Sequence, residues 1–176
     1  LEKEGCVAWV FVGAVTDIEA CQVMTEAAAK TYGELNVLIN NVGISGPGSV
    51  TDVSEDFWDT VIDVNLKSVM LTSKFAIPEM IKDGGGSIVN LSSIVGIRAG
   101  GGRPRHAHPA SPGGILGLRN SIAVHSGRHN FRVTCIAPSH VYSHMVALHR
   151  SDERLNLPPR AGPIGFCGTR WPRPDA

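Results

Sequence analysis

The chain has 176 residues, 43% of them hydrophobic, and its 16 Lys and Arg balance its 16 Asp and Glu to a formal net charge of zero. This length favours one domain, and this hydrophobic content is enough for a buried core. The balanced charge gives no basis for nucleic-acid binding. No apolar run reaches the roughly 20 residues of a membrane span, and no signal segment opens the chain. We therefore expect a cytoplasmic protein without membrane association.

The cysteines and histidines predict neither disulfides nor a metal site. The four cysteines lie far apart without C-x-x-C spacing, at Cys6, Cys21, Cys135 and Cys167. Such spacing is typical of inert thiols in a reducing compartment. Three histidine pairs have ligand-like spacing, but no carboxylate or Cys completes them: His106/His108, His125/His129 and His140/His144. Leu1 stands where an initiator Met would, which favours a processed or incomplete chain.

The first elements alternate between strand and helix. Residues 7–12 form an apolar run rich in strand-forming side chains. Thr16-Asp17-Ile18-Glu19 then predicts a capping box with Thr16 as N-cap, and Gly33 stands at a helix C-terminus. Residues 37–39 form a second strand, which runs into Asn40-Asn41-Val42-Gly43. Ser54 is the predicted N-cap of a helix over residues 55–82, which Pro78 is expected to kink or end.

The second half continues the alternation. Gly84-Gly85-Gly86 leads into a strand over residues 88–91, followed by Ser92-Ser93 and a loop rich in Gly and Pro. Ser111 as N-cap and Pro112 at the first helical position predict a helix over residues 113–126. A strand over residues 131–137 follows. We divide the chain into an α/β domain over residues 1–148 and a poorly ordered tail, rich in Pro, Gly and Arg, over residues 149–176.

Alternating strands and helices predict parallel pairing in a three-layer α/β sandwich. In an open α/β sheet, ligands bind beyond the carboxyl ends of the strands. Two such ends carry polar clusters here, at Asn40-Asn41 and Ser92-Ser93. The pattern therefore predicts a nucleotide-type crevice at that edge. The alternative for each cluster is a polar cap at the end of a buried strand.

Several stretches resemble the short-chain dehydrogenase/reductase family in order and spacing, over about residues 7–145. They are Asn40-Asn41-Val42-Gly43, Asn65 within its helix, Ser92-Ser93, Ser111-Pro112-Gly113-Gly114, and Arg132-Val133-Thr134-Cys135-Ile136-Ala137-Pro138. The resemblance implies a partial Rossmann-type, doubly wound parallel sheet that lacks its first two strands and its last strand. It also implies that residues 37–39, 88–91 and 133–136 are adjacent in that order. The strand over residues 7–12 should then move in beside residues 37–39 or be loosely held.

The family resemblance implies an NAD- or NADP-dependent oxidoreductase acting on an alcohol or carbonyl substrate. It places the helical catalytic Asn at Asn65, the substrate-contacting Ser at Ser93, the acid/base Tyr at His108 and its partner Lys at Pro112. The implied cofactor-binding positions are Val15, Asn40, Val42, Gly43, Pro138, Val141 and Ser143. Association as a homodimer or homotetramer is implied through the helices at residues 54–82 and 113–126.

Several residues depart from the family pattern and weaken the prediction of cofactor binding and catalysis. The glycine-rich turn T-G-x-x-x-G-x-G, which cradles a pyrophosphate at a helix N-terminus, is absent. Ala14 stands at the position of an adenine-contacting Asp, and Ser139 at that of a Gly. Pro112 has neither the charge nor the donor of Lys. His108 can move protons near pH 7 but reaches less far than a Tyr.

Three hypotheses follow from these matches and departures. The first is an oxidoreductase with impaired cofactor binding and turnover. The second is a non-catalytic relative that uses the same fold as an association module. The third is a fragmentary or error-bearing form of a family member without a function of its own.

Overall fold

The computed structural model describes residues 5–46, 49–97 and 107–138, with side chains from Ala110 onward in the last range. Three strands and four α-helices alternate along this part of the chain. In chain order they are α1 Ile18–Tyr32, β1 Val37–Asn40, α2 Glu55–Ile62, α3 Ser68–Lys82, β2 Gly86–Leu91, α4 Ala107–Ser126 and β3 Phe131–Ile136. The domain boundary predicted at residue 148 lies outside the described residues and stays a prediction.

The three strands form a parallel sheet in the order β1-β2-β3. Leu38 pairs with Ile88, which pairs with Val133 on the other side. This confirms the expected order of the three strands. Residues 7–12 are not a strand, so the described sheet has three strands rather than four. Tyr32 Oη donates a 3.5 Å hydrogen bond to the Val7 carbonyl, which holds this segment loosely beside α1.

The core lies between the sheet and the helices. Ala76, Met80, Ile88 and Ile122 are its buried centre, and Leu38, Phe131 and Val133 pack against them, together with Leu35, Ile77 and Leu118. The next side chains along β1 point to the opposite face, where Val37 is 53% and Ile39 61% exposed. No described helix covers these two side chains.

A single helical segment connects β1 to β2. Ser54 caps it as predicted, since its hydroxyl accepts a hydrogen bond from Phe57 N. Between α2 and α3 the backbone makes a π turn, Asp63–Lys67, which is a wider turn than in an α-helix. Pro78 does not end the helix, and α3 continues to Lys82. The proline deprives the Lys74 carbonyl of its helical partner, but Lys74 is exposed and water can replace that bond.

Two helix starts differ from the sequence-based expectation. Asp17 rather than Thr16 caps α1, because the Asp17 carboxylate accepts from Glu19 N at 3.0 Å. Gly33 ends α1 in the left-handed conformation, as expected. The helix predicted to begin at Gly113 begins at Ala107 instead, so Pro112 lies inside α4 rather than at its first position. Tertiary contacts at residues 111–114, described below, explain this difference.

Gly84-Gly85-Gly86 is a packing feature rather than a phosphate-binding loop. Gly85 has φ +110°, and a Cβ there would lie 2.4 Å from the His129 carbonyl oxygen. A Cβ on Gly86 would lie 2.5 Å from the Asn36 carbonyl oxygen. At Gly85 and Gly86 the turn therefore passes so close to two other backbone segments that side chains are excluded.

Candidate functional site

The carboxyl ends of β1 and β2 are joined by buried side chains. Asn40 Nδ2 donates to Asn90 Oδ1 at 2.8 Å, and Thr72 Oγ1 of α3 donates to Asn40 Oδ1 at 2.7 Å. Asn90 is fully buried, and its Nδ2 has no hydrogen-bond partner among the described residues. Asn40, predicted to bind the cofactor, therefore holds the sheet to α3 with its side-chain amide.

Asn65 links three parts of the site. It lies in the π turn and is 5% exposed. Its Oδ1 accepts from Ile44 N at 2.7 Å, and its Nδ2 donates to Ile44 O at 2.9 Å. The same Nδ2 donates to Ser111 Oγ at 3.2 Å. The loop that follows β1, the π turn and α4 are thus held together by one side-chain amide.

The two serines after β2 have different partners. Ser93 Oγ accepts a long bond of 3.4 Å from Val95 N and caps a short 3-10 turn, Ile94–Gly96. Ser92 Oγ donates to the Pro112 carbonyl at 3.0 Å. Ser93 therefore keeps its hydroxyl hydrogen free of acceptors within the described part of the chain. This is the hydrogen that a substrate oxygen would need.

Close packing fixes residues 111–114 of α4 in place. A Cβ on Gly96 would lie 2.6 Å from Pro112 Cβ and 2.7 Å from Gly113 N. A Cβ on Gly114 would lie 2.7 Å from Leu66 Cδ2. With the bonds to Ser111 and Pro112, these contacts hold the helix on both sides of the proline. They account for a helix that passes through Pro112 instead of beginning there.

The acid/base positions lie on one face of α4. His108 and Pro112 are four residues apart, about one helical turn. Pro112 is buried and has no N–H, so the His108 carbonyl lacks its helical donor. The side chain of His108 lies outside the described atoms. Position 112 supplies no charge that could tune an acid at position 108.

The predicted cofactor positions are only partly brought together. Gly43 lies beside Asn65, since a Cβ on it would be 3.5 Å from Asn65 Oδ1. Pro138 follows β3, and its carbonyl accepts from Ile94 N at 3.0 Å. Val42 is exposed in the loop after β1, and Val15 lies in the turn before α1. Val141 and Ser143 lie outside the described residues, as does Ser139.

Sequence reasoning missed the contacts of four residues of this site. Thr72 and Asn90 look like ordinary helix and strand residues, and no local signal marks their contact with Asn40. Ser92 was named in the Ser92-Ser93 cluster, but its contact with Pro112 was missed because the family pattern gives the substrate contact to Ser93. Ser111 was interpreted as an N-cap, whereas its hydroxyl accepts from Asn65.

Burial disfavours the reactive thiolate form of two described cysteines, Cys21 and Cys135. Cys6, Cys21 and Cys135 are free. Burial raises the pKa of the Cys21 thiol, and the nearby Asp17 charge adds to this effect. Burial also raises the pKa of the Cys135 thiol, against a smaller lowering by Ser92 and Arg119. Within the described ranges, no group of three or more His, Cys, Asp or Glu could hold a metal ion.

An apolar groove runs between the helical segment around the π turn and α4. It is lined by Ile62, Leu66, Lys67, Met70, Gly114, Gly117, Leu118 and Ser121. Met70 is 40% exposed there.

Among the helices of the described residues, none is long and apolar enough to cross a membrane.

Comparison with known proteins identifies the family. The model of the short chain dehydrogenase family matches residues 1–154. The 3-oxoacyl-(acyl-carrier-protein) reductase FabG of Thermotoga maritima is 37% identical over 131 residues, which cover 74% of this chain and 52% of that protein. The 7alpha-hydroxysteroid dehydrogenase of Bacteroides fragilis is 34% identical over 159 residues, covering 89% of this chain and 59% of that protein.

A solved structure shows the same arrangement of strands and helices. A short-chain alcohol dehydrogenase from Sinorhizobium meliloti 1021 superimposes with a TM-score of 0.81 at 36% identity, covering 88% of this chain and 60% of that one. The chain thus spans between half and two thirds of the length of these relatives. The match of the family model over residues 1–154 and the shared parallel sheet show that the chain belongs to the short-chain dehydrogenase/reductase family.

Proposed function

We propose that this chain carries the substrate side of an NAD- or NADP-dependent oxidoreductase for an alcohol or carbonyl compound, with impaired cofactor binding and turnover. The observation that supports the proposal is the convergence of Asn65, Ser92 and α4 at the carboxyl ends of β1 and β2, with Ser93 next to Ser92 in the chain. We also propose that the protein is located in the cytoplasm. The free thiols of the chain are typical of that reducing compartment.

The described residues fit only one edge of a nicotinamide cofactor. Gly43 and the two residues before it are exposed in the loop after β1, so a flat ring system could approach them. Gly84-Gly85-Gly86, the described glycine cluster, is closed off by backbone and cannot cradle a pyrophosphate. Position 112 has no cation to hold ribose hydroxyls.

The residues of this chain can orient a substrate oxygen. Ser93 has a hydroxyl hydrogen to donate, and the 3-10 turn fixes its backbone. A carbonyl or alcohol oxygen that accepts this bond would lie near the end of β2, beside the docked turn of α4. His108, in the first turn of α4, is a group that could give or take a proton there.

Titration of the unmodified chain with NADH and NADPH, followed by nicotinamide fluorescence, tests the cofactor proposal. We expect dissociation constants in the millimolar range, because no pyrophosphate cradle contributes. Gly43→Val should abolish this weak binding by filling the space beside Asn65. Gly117→Val is the matched control, since a Cβ on Gly117 meets no atom within 4 Å. Micromolar binding by the unmodified chain would contradict the proposal.

We also propose a homodimer or homotetramer through the apolar groove beside α4. Met70→Glu should leave only monomers in sedimentation velocity at high micromolar concentration, because a carboxylate in an apolar contact is costly to desolvate. Val124→Glu is the control, since Val124 is 87% exposed on α4 and does not line the groove. A strictly monomeric unmodified chain would exclude this interface.

A non-catalytic association module is the second candidate function. The same apolar groove favours it, together with the uncharged Pro112. A dimer that forms without any measurable cofactor binding would support this alternative.

A further inference from the structure

We propose that Ser111 is a positioning residue of the site. Through Asn65 it holds the loop after β1 at a fixed place relative to α4, which carries positions 108 and 112. The inference rests on the proposed function, because that loop and that helix enclose the place where cofactor and substrate would meet. The hydrogen bonds that it invokes can be tested without an activity assay.

The side-chain amide of Asn65 has both of its N–H groups in use. One donates to Ile44 O at 2.9 Å and the other to Ser111 Oγ at 3.2 Å. Asn65 is 5% exposed and Ser111 fully buried, so the bond between them is shielded from water. Loss of the Ser111 oxygen would leave a buried donor without an acceptor, which is unfavourable.

The orientation of the amide is set by Ile44. Its N–H donates to Asn65 Oδ1 at 2.7 Å while its carbonyl accepts from Nδ2. In a flipped amide, Nδ2 would face the Ile44 N–H and Oδ1 would face the Ile44 carbonyl. Two donors and two acceptors would then oppose each other. The second Nδ2 hydrogen must therefore point towards α4, where Ser111 provides the accepting oxygen.

Any rotation of the Asn65 amide would consequently move Ile44 and its loop. Gly43 precedes Ile44 and lies in van der Waals contact range of Asn65 Oδ1. A hydroxyl on α4 thus controls the loop that contains the predicted cofactor positions Val42 and Gly43. The bond acts through Asn65, so Ser111 itself does not touch substrate or cofactor in this proposal.

Amide hydrogen exchange of the full chain, measured by NMR, tests this. Ser111→Ala should speed exchange of the Ile44 amide by about tenfold, the effect expected for one lost buried hydrogen bond. The Ile88 amide, in the central strand, reports global unfolding and should change far less. Ala is a strong helix former, so α4 should remain intact. Ser111→Thr, which keeps the oxygen, should restore slow exchange at Ile44.

The Asn65 side chain gives a second readout. In Ser111→Ala, one of its two Nδ2 proton resonances should shift upfield while the one bonded to Ile44 O stays. Ser121→Ala is the matched control, an exposed serine of the same helix. Equal acceleration at Ile44 and Ile88, or unchanged Nδ2 resonances, would overturn the positioning role. The proposed function is tested separately by the cofactor titration. The positioning role of Ser111 and the proposed function can therefore be refuted independently of each other.

Discussion

Turnover of an alcohol or ketone is expected when three missing parts are supplied together. The variant carries His108→Tyr and Pro112→Lys and is joined to the amino-terminal segment of a family member with the glycine-rich turn. The Tyr hydroxyl supplies the acid/base group, and the Lys charge lowers its pKa. The double substitution alone should give little activity, because the cofactor would still lack its phosphate site. NADPH oxidation in the presence of a ketone measures the result.

Ser93 then tests the location of the site. Ser93→Ala in the active chimera should lower kcat by about a hundredfold, since it removes a hydrogen bond to the reacting oxygen. Asn120→Ala, at an exposed position of α4 that does not line the apolar groove, is the control and should leave the rate unchanged. Activity that is indifferent to Ser93 would show that the site is elsewhere. Robust activity of the unmodified chain would show that His108 is itself a competent acid.

Gly85→Ala is expected to be among the most destabilising single substitutions in this chain. The new Cβ would lie 2.4 Å from the His129 carbonyl oxygen and 2.5 Å from that of Asn130, at φ +110°. Left-handed strain and overpacking together should lower the free energy of unfolding by about 3–5 kcal/mol. Urea unfolding followed by circular dichroism measures this change.

Gly84 provides a matched control at the neighbouring position. It also has a positive φ, +91°, but a Cβ there meets nothing within 4 Å. Gly84→Ala should therefore cost only the strain of the backbone conformation, about 1–2 kcal/mol. Equal losses for the two variants would mean that the close approach of residues 129 and 130 is not a constraint.

The parallel pairing was predictable because the strands have a local signal, whereas the strand order followed from the resemblance to the family. Apolar runs ending in polar clusters mark β1 and β2, and their connection by one long helix implies parallel pairing. The Asn40 and Ser92 contacts were not predictable, since they join residues 50 and 20 positions apart along the chain. Nothing local distinguishes Thr72 from a solvent-facing Thr.

The start of α4 shows how local rules fail. Ser111-Pro112 is a good helix start by propensity, yet α4 begins at Ala107. Contacts from Asn65, Ser92 and Gly96 hold the backbone at residues 111–113 in helical form. These tertiary contacts outweigh the hydrogen bond that the proline removes. Asp17 likewise replaces Thr16 as N-cap, because both side chains are suitable and only the backbone conformation decides between them.

The unpaired segment at residues 7–12 bears on the fate of the chain inside a cell. It has no regular secondary structure, it carries no charge, and Val7, Val10 and Val12 are more than 80% exposed. Chaperones and proteases bind their clients as extended apolar strands, so this segment offers a recognition site without prior unfolding. Its turnover should then follow the accessibility of this segment rather than the global free energy of unfolding. Cellular abundance of the protein would be set by whatever shields residues 7–12.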